Sequence, residues 1–139
     1  MQNGGNFMSG YFDKILDFAN QLSLNIVHQD EAEELIVVNN EQKGIFRMVI
    51  DCEFPILIFE QLIYEIKVDS KEHYKELLKM NRNLVHGAFV VDDNEKQLIY
   101  RDTLQLANLD FNEFEGTINA LSLGLAEYSR KLIELNQLS

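Results

Sequence analysis

The chain reads as an α+β protein, an antiparallel sheet of five to six strands with three helices in the order α-β-β-β-(β)-α-β-β-α. Three observations predict this. Apolar residues recur at helical spacing near the N-terminus and again, without a break, near the C-terminus. Between them lie short aliphatic runs bounded by turn formers, which read as consecutive strands joined by tight turns and hence as an antiparallel meander. Helices set against such a sheet give an α+β layer pair.

Met1 to Gly10 is rich in Gly, Asn and Ser and reads as a flexible arm, leaving 11–139 as a single domain. Tyr11, Ile15, Phe18 and Leu22 then mark the first helix, with Phe12, Leu16 and Ala19 widening its apolar stripe. Leu24 to His28 and Leu35 to Val38 read as strands around the acidic turn Asp30 to Glu34. Asn39 to Gly44 is a turn in which Gly44 supplies a positive φ, and Ile45 to Asp51 is the return strand. Pro55 breaks the ladder, and Ile56 to Val68 follows as a long strand or a bent pair. The second helix runs from about Lys71 to Asn83, with Asp69 and Glu72 at capping-box spacing and Tyr74, Leu77, Leu78 and Asn81 on one face. A hairpin comes next, Gly87 to Val91 and Gln97 to Leu104 around Asp92 to Glu95. Asp110 caps the last helix with Glu113 at its third position and Leu109 able to staple to Phe114. Its seam runs through Phe111, Phe114, Ile118, Leu121, Leu125, Tyr128, Leu132 and Leu135.

The 139 residues suit one core, and 46% hydrophobic with 25% charged residues is ordinary globular composition. Twelve basic against twenty-three acidic residues leave a net charge of -11, which repels phosphate backbones and anionic lipid, so neither nucleic acid nor membrane is an expected partner. The apolar runs are too short for a membrane helix, the N-terminus lacks a secretory pattern, and the lone Cys52 excludes an internal disulfide. A cytoplasmic protein is the expectation.

Chemistry-bearing patterns are sparse. The glycines do not fall at phosphate-loop or dinucleotide spacing, and no serine sits in a nucleophile elbow. His28, His73 and His86 lack companion ligands at i+3 or i+4, so no metal is expected, and no cofactor. Asp51 and Glu53 disfavour a thiolate at Cys52, which reads as a packed thiol. Glu60 with Glu65, or Asp102 with Asp110, are the available carboxylate pairs for acid–base work, and they read as solvated strand-edge and cap carboxylates. No catalytic residue is assigned, and an enzyme is not expected.

Two stretches carry more than a minimal fold requires. By period two, Phe54, Ile56, Ile58, Leu62, Tyr64, Ile66 and Val68 share a face that suffices for a core, yet Leu57, Phe59 and Ile63 load the other face beside Gln61, Glu65 and Lys67. Cover by a helix of the same chain is the commoner explanation, and a partner is the alternative. In the last helix Gly116, Ala120 and Gly124 form a stripe of small residues, and each glycine costs roughly 1 kcal/mol against alanine. Close packing on the chain's own sheet is the first explanation, a helix–helix dimer contact the second.

The stretch Lys79 to Ala126, with Asn81-Arg82-Asn83, Gly87-Ala88-Phe89, Thr103-Leu104 and Leu109-Asp110, resembles the bacterial YbjN-like group, which shares the fold of the type III secretion chaperones related to the Tir chaperone. The upstream run from Ile36 to Ile63 fits the same layout. The resemblance implies a small acidic α+β protein that forms homodimers, needs no nucleotide and holds an extended segment of a client on apolar patches. It implies a dimer contact at Tyr74, Leu77, Leu78 and Asn81, and a protein- or peptide-binding patch at Leu57, Phe59 and Ile63. The expected function is therefore a non-catalytic, chaperone-like protein-binding module, with a regulatory adaptor that binds one folded partner as the alternative.

Overall fold

Asp110 sits before the last helix with its carboxylate accepting from the Glu113 N–H, while Glu113 reaches back to the Asp110 N–H, so both ends of the predicted capping box are made. The same kind of local agreement runs along most of the chain. A computed structural model describes the backbone of residues 4–138 and the side chains of residues 10–138. The elements are α1 (Gly4–Gln21), β1 (Asn25–Asp30), β2 (Leu35–Asn40), a 3-10 turn (Glu41–Lys43), β3 (Ile45–Glu53), β4 (Ile56–Glu65), α2 (Lys71–Asn83), β5 (Ala88–Val91), β6 (Gln97–Gln105) and α3 (Phe111–Leu135). The six strands form one sheet in the order β1-β2-β3-β4-β6-β5, and every neighbouring pair is antiparallel.

Gly44 closes the 3-10 turn in the left-handed region at φ 71°, as its place in the turn-forming run predicts. α1 begins at Gly4, so residues 4–10 of the expected arm continue the helix, and residues 1–3 lie outside the described residues. α2 is capped by Ser70, whose Oγ accepts from the His73 N–H; Asp69 accepts from the Tyr74 hydroxyl instead.

One face of the sheet carries the core. Ile36 and Val38 of β2, Met48 and Ile50 of β3, Leu57 and Phe59 of β4 and Leu98 and Tyr100 of β6 join Phe12, Ile15 and Phe18 of α1, Leu77 and Met80 of α2 and Phe114, Ile118 and Leu121 of α3 in a single apolar cluster. This corrects the face assigned to β4 from its period. Leu57 and Phe59 point into the core and are fully buried, whereas Leu62 is 52% exposed. Both faces of β4 are apolar, so the period alone does not say which is covered, and a bulge between Leu62 and Tyr64 then shifts the phase. It skips Ile63 and moves Tyr64 to the Leu98 side, so the alternation counted straight through from Phe54 to Val68 changes face part-way. The excess apolar residues at Leu57 and Phe59 are covered by the chain's own helices.

The small-residue stripe of α3 divides in the same manner. A Cβ on Gly124 would run into the Tyr100 hydroxyl and lie 3.0 Å from Leu84 Cδ2, so this glycine lets α3 approach β6 closely. A Cβ on Gly116 would meet nothing within 4 Å.

Candidate protein-binding surface

The opposite face of the sheet carries no helix among the described residues, because all three helices contribute to the cluster on the first face. Cross-strand pairing fixes what it presents. One rung runs His28–Val37–Val49–Glu60–Arg101–Ala88, and the next runs Asp30–Leu35–Asp51–Ile58–Thr103. A further rung joins Leu62, Ile99 and Val90. Directly opposed residues share a face, so Leu35, Val37, Val49 and Ile58 form an apolar patch around Asp51, with Leu62 and Ile99 beyond the Glu60–Arg101 pair. A sheet with one wet side normally alternates apolar and polar residues more cleanly than this.

The polar groups on this plane are unevenly matched. Arg101 Nε donates to Glu60 Oε2 at 3.0 Å. Asp51, between Leu35 and Ile58, has a shielded Oδ1 with no hydrogen-bond partner. Desolvation, followed by the charge of Glu53, a side-chain hydrogen bond with Glu53 and the more distant Glu33 and Glu60, pushes its carboxyl from 3.8 up to about 6.

A second surface lies past the rim of the sheet. A groove of about 540 Å³ runs between α3 and the start of β3 and end of β4, lined by Phe46, Leu62, Ile63, Leu125, Leu132 and Ile133 among others. Phe46 and Ile133 are largely exposed. The buried Gln61 shapes its floor, accepting from the Phe46 N–H and donating to the Gly44 carbonyl. Leu62 belongs to both the groove and the open face, so the two surfaces are continuous.

The residues singled out in the sequence therefore separate. Of Leu57, Phe59 and Ile63, the last alone reaches a surface, in the groove. On α2, Leu77 is core, and Asn81 is occupied within the chain: its side chain accepts from the Phe89 N–H at 2.7 Å and donates to the Phe89 carbonyl at 3.1 Å. Tyr74 is half-buried, and Leu78 is 69% exposed. Sequence reasoning missed Val49, Asp51, Ile58 and Ile99 as surface residues. Their one signal was the choice of β-branched residues at Ile56 and Ile58 against Leu57 and Phe59, too slight to decide between two apolar faces.

His73 is buried, with Nδ1 donating to the Val68 carbonyl and Nε2 hydrogen-bonded to the Tyr64 hydroxyl, each at 2.7 Å. A carbonyl can only accept, so Nδ1 carries a proton and the ring serves as a structural pin between β4 and α2. His28 lies on the sheet's open face and His86 beside Asp102, and no group of three His, Cys, Asp or Glu residues among the described residues is placed to hold a metal. Burial, then Glu34, Asp51 and Glu53, pushes the Cys52 thiol up to about 12, leaving it protonated. Glu60 pairs with Arg101 and Asp110 caps α3, so neither carboxylate pair considered from the sequence forms an acid–base site. No helix of the described residues is long and apolar enough to cross a membrane.

The CesT_Tir_1 family model matches residues 8–138. The chain belongs to this family. Solved structures share the fold at low identity. E. coli YbjN superposes with a TM-score of 0.66 at 15% identity, over 86% of this chain and 92% of its own. A chain of the ExsC–ExsE complex gives 0.65 at 19%, over 90% and 95%. A chain of the HopA1–SchA chaperone–effector complex gives 0.60 at 18%, over 91% and 97%. No curated protein matches the sequence. The expected YbjN-like, secretion-chaperone fold is thus the fold observed, and the extra strand read between Leu24 and Val38, beyond the layout that the resemblance implies, is present as well.

Proposed function

We propose that this CesT_Tir_1 family member is a non-catalytic, chaperone-like module that holds an extended segment of a partner polypeptide against the open face of its sheet. The observation that carries this reading is the apolar plane of Val37, Val49, Ile58 and Ile99 on a sheet face without a covering helix. Val49, Ile58 and Ile99 are part-exposed. Apolar surface left without a covering helix suits an interaction site, and an extended chain laid on it presents alternate side chains to the pleats. The likeness to a chaperone–effector complex supports a polypeptide as the occupant. The binding patch moves accordingly, away from Leu57 and Phe59 and onto the opposite face, with Ile63 in the adjoining groove.

The module acts as a homodimer through the outward side of α2, where Leu78 and, just beyond the helix, Val85 stand exposed at 69% and 87%. Tyr74 borders that side, whereas Leu77 and Asn81 support it from within. Its place of work is the cytoplasm, and it needs no cofactor.

Recovery of C-terminally tagged protein from its host's cytosol, with co-purifying polypeptides identified by mass spectrometry, tests the reading. Wild type recovers a small recurring set bound through unfolded segments, and Ile58→Glu loses them while keeping the wild-type circular dichroism and melting behaviour. Capture unaffected by Ile58→Glu refutes the open-face site. One folded partner at fixed ratio supports the adaptor instead.

A further inference from the structure

The chemistry of the occupant is written into the charges of the open face, if that face is the binding surface proposed above. Asp51 stands in the middle of the second rung, flanked by Leu35 and Ile58, with Oδ1 shielded from water and unpartnered. Glu53 lies two residues along the strand on the same face, beside Ile56. Arg101 on this face is taken by Glu60, and no Lys or Arg forms an ion pair with Asp51, Glu53 or Glu33 among the described residues. The plane is therefore apolar with an uncompensated negative centre. A purely aliphatic segment would desolvate that carboxyl further and leave it, with Glu53 beside it, without a counter-charge, and an acidic one would add repulsion. A Lys or Arg set between apolar residues satisfies both features. Its neighbours at alternate positions cover Val49 and Ile58, and its head group makes a charge-assisted hydrogen bond to Asp51.

We propose that the open sheet face selects extended polypeptide segments in which a Lys or Arg alternates with aliphatic residues, the cation seated on Asp51. Asp51 is then the residue that determines specificity, and the apolar plane supplies contact area.

The test uses the full chain and three fluorescein-labelled peptides that alternate Val and Thr and differ only at the central residue: Lys, Gln or Glu. Fluorescence anisotropy reads affinity, and methyl NMR reads location through Val49, Ile58 and Ile99. The lysine peptide should bind about tenfold more tightly than its glutamine twin, with the glutamate peptide weakest. Asp51→Asn should remove the difference between Lys and Gln, and added salt should shrink it in wild type. Equal affinity of the Lys and Gln peptides on this face overturns the charge selection and leaves the protein-binding reading standing. Shifts confined to Ile63 and Leu125 place the peptide in the groove and overturn the assignment to Asp51. Concentration-dependent shifts of Val49 and Ile58 without peptide identify a second copy as the occupant and overturn it too. If no peptide binds while Ile58→Glu still abolishes partner capture, this inference alone fails; if Ile58→Glu leaves capture intact, the open-face reading fails with it.

Discussion

Asp51 is more costly to ionise in the folded chain than in the unfolded one, because folding removes water from it and surrounds it with Leu35, Ile58 and other carboxylates. Its carboxyl moves from 3.8 up to about 6, so between those values the folded chain holds more protons than the unfolded chain. Stability from this group is therefore complete below about pH 3.8 and falls as pH rises through 6. Asp51→Asn should stabilise the protein at pH 7, and solvent reaching the part-exposed carboxylate limits the gain to about 1 kcal/mol. Urea melts of both proteins at pH 7 and pH 5 check this, with a smaller gap at pH 5; a variant less stable than wild type at pH 7 contradicts it. The two glycines of α3 make a matched pair at the same scale. Gly124→Ala drives a methyl group into Tyr100 and Leu84 and should cost about 1–3 kcal/mol, while Gly116→Ala meets open space and should gain about 0.5–1 kcal/mol in thermal or chemical melts. The sequence shows both glycines as equally anomalous. What separates them is a tertiary contact with Tyr100, which local spacing does not encode.

Strands and helices differ in how much of their placement the sequence makes legible. The existence and order of every element follow from periodicity and turn chemistry, and α3 with its capping box is readable almost residue by residue. Facing is harder. β4 is apolar on both sides, its bulge at Ile63 resets the alternation, and its two central polar residues point to opposite faces, Glu60 to Arg101 on the open side and Gln61 buried by bonds to Gly44 and Phe46. With polar residues on both faces the pattern does not choose between them, and the binding patch expected at Leu57 and Phe59 lies in the core. In α2 a similar ambiguity arises, since Leu77 and Leu78 are adjacent and only one can face inward. Asn81 decides the phase by bonding both backbone groups of Phe89, as a neighbouring strand would, and so closes part of the β5 edge. Asn81→Asp replaces the donor to the Phe89 carbonyl with a second acceptor. It should cost about 1–3 kcal/mol in denaturant melts and raise amide exchange at Phe89, and an unchanged melt would show that β5 does not depend on this bond.

At the scale of the whole molecule, one sheet face is buried by three helices and the other carries no helix among the described residues, so on the proposed reading binding and self-association share limited apolar surface. The net charge of -11 opposes close approach of two copies, so a dimer must bury enough apolar surface locally to outweigh repulsion. The outward side of α2 suits that purpose. Leu78 stands there 69% exposed, while Leu77, Met80 and Asn81 fasten the other side of the helix to the core and to β5, so the helix is held rigid as it presents Leu78. A contact there leaves the Asp51 face free, and one dimer can offer two binding planes. Multi-angle light scattering should therefore find wild type as a dimer at micromolar concentration, and raised salt should favour it by screening the shared negative charge. Leu78→Glu should give a folded monomer, because its side chain lies in water and supports no core packing. The same variant should keep its affinity for the lysine-centred peptide per chain, since Leu78 and Asp51 lie on different surfaces. A monomeric wild type, or a dimer indifferent to Leu78→Glu, would remove α2 from the contact and make the open sheet face the next surface to test for self-association.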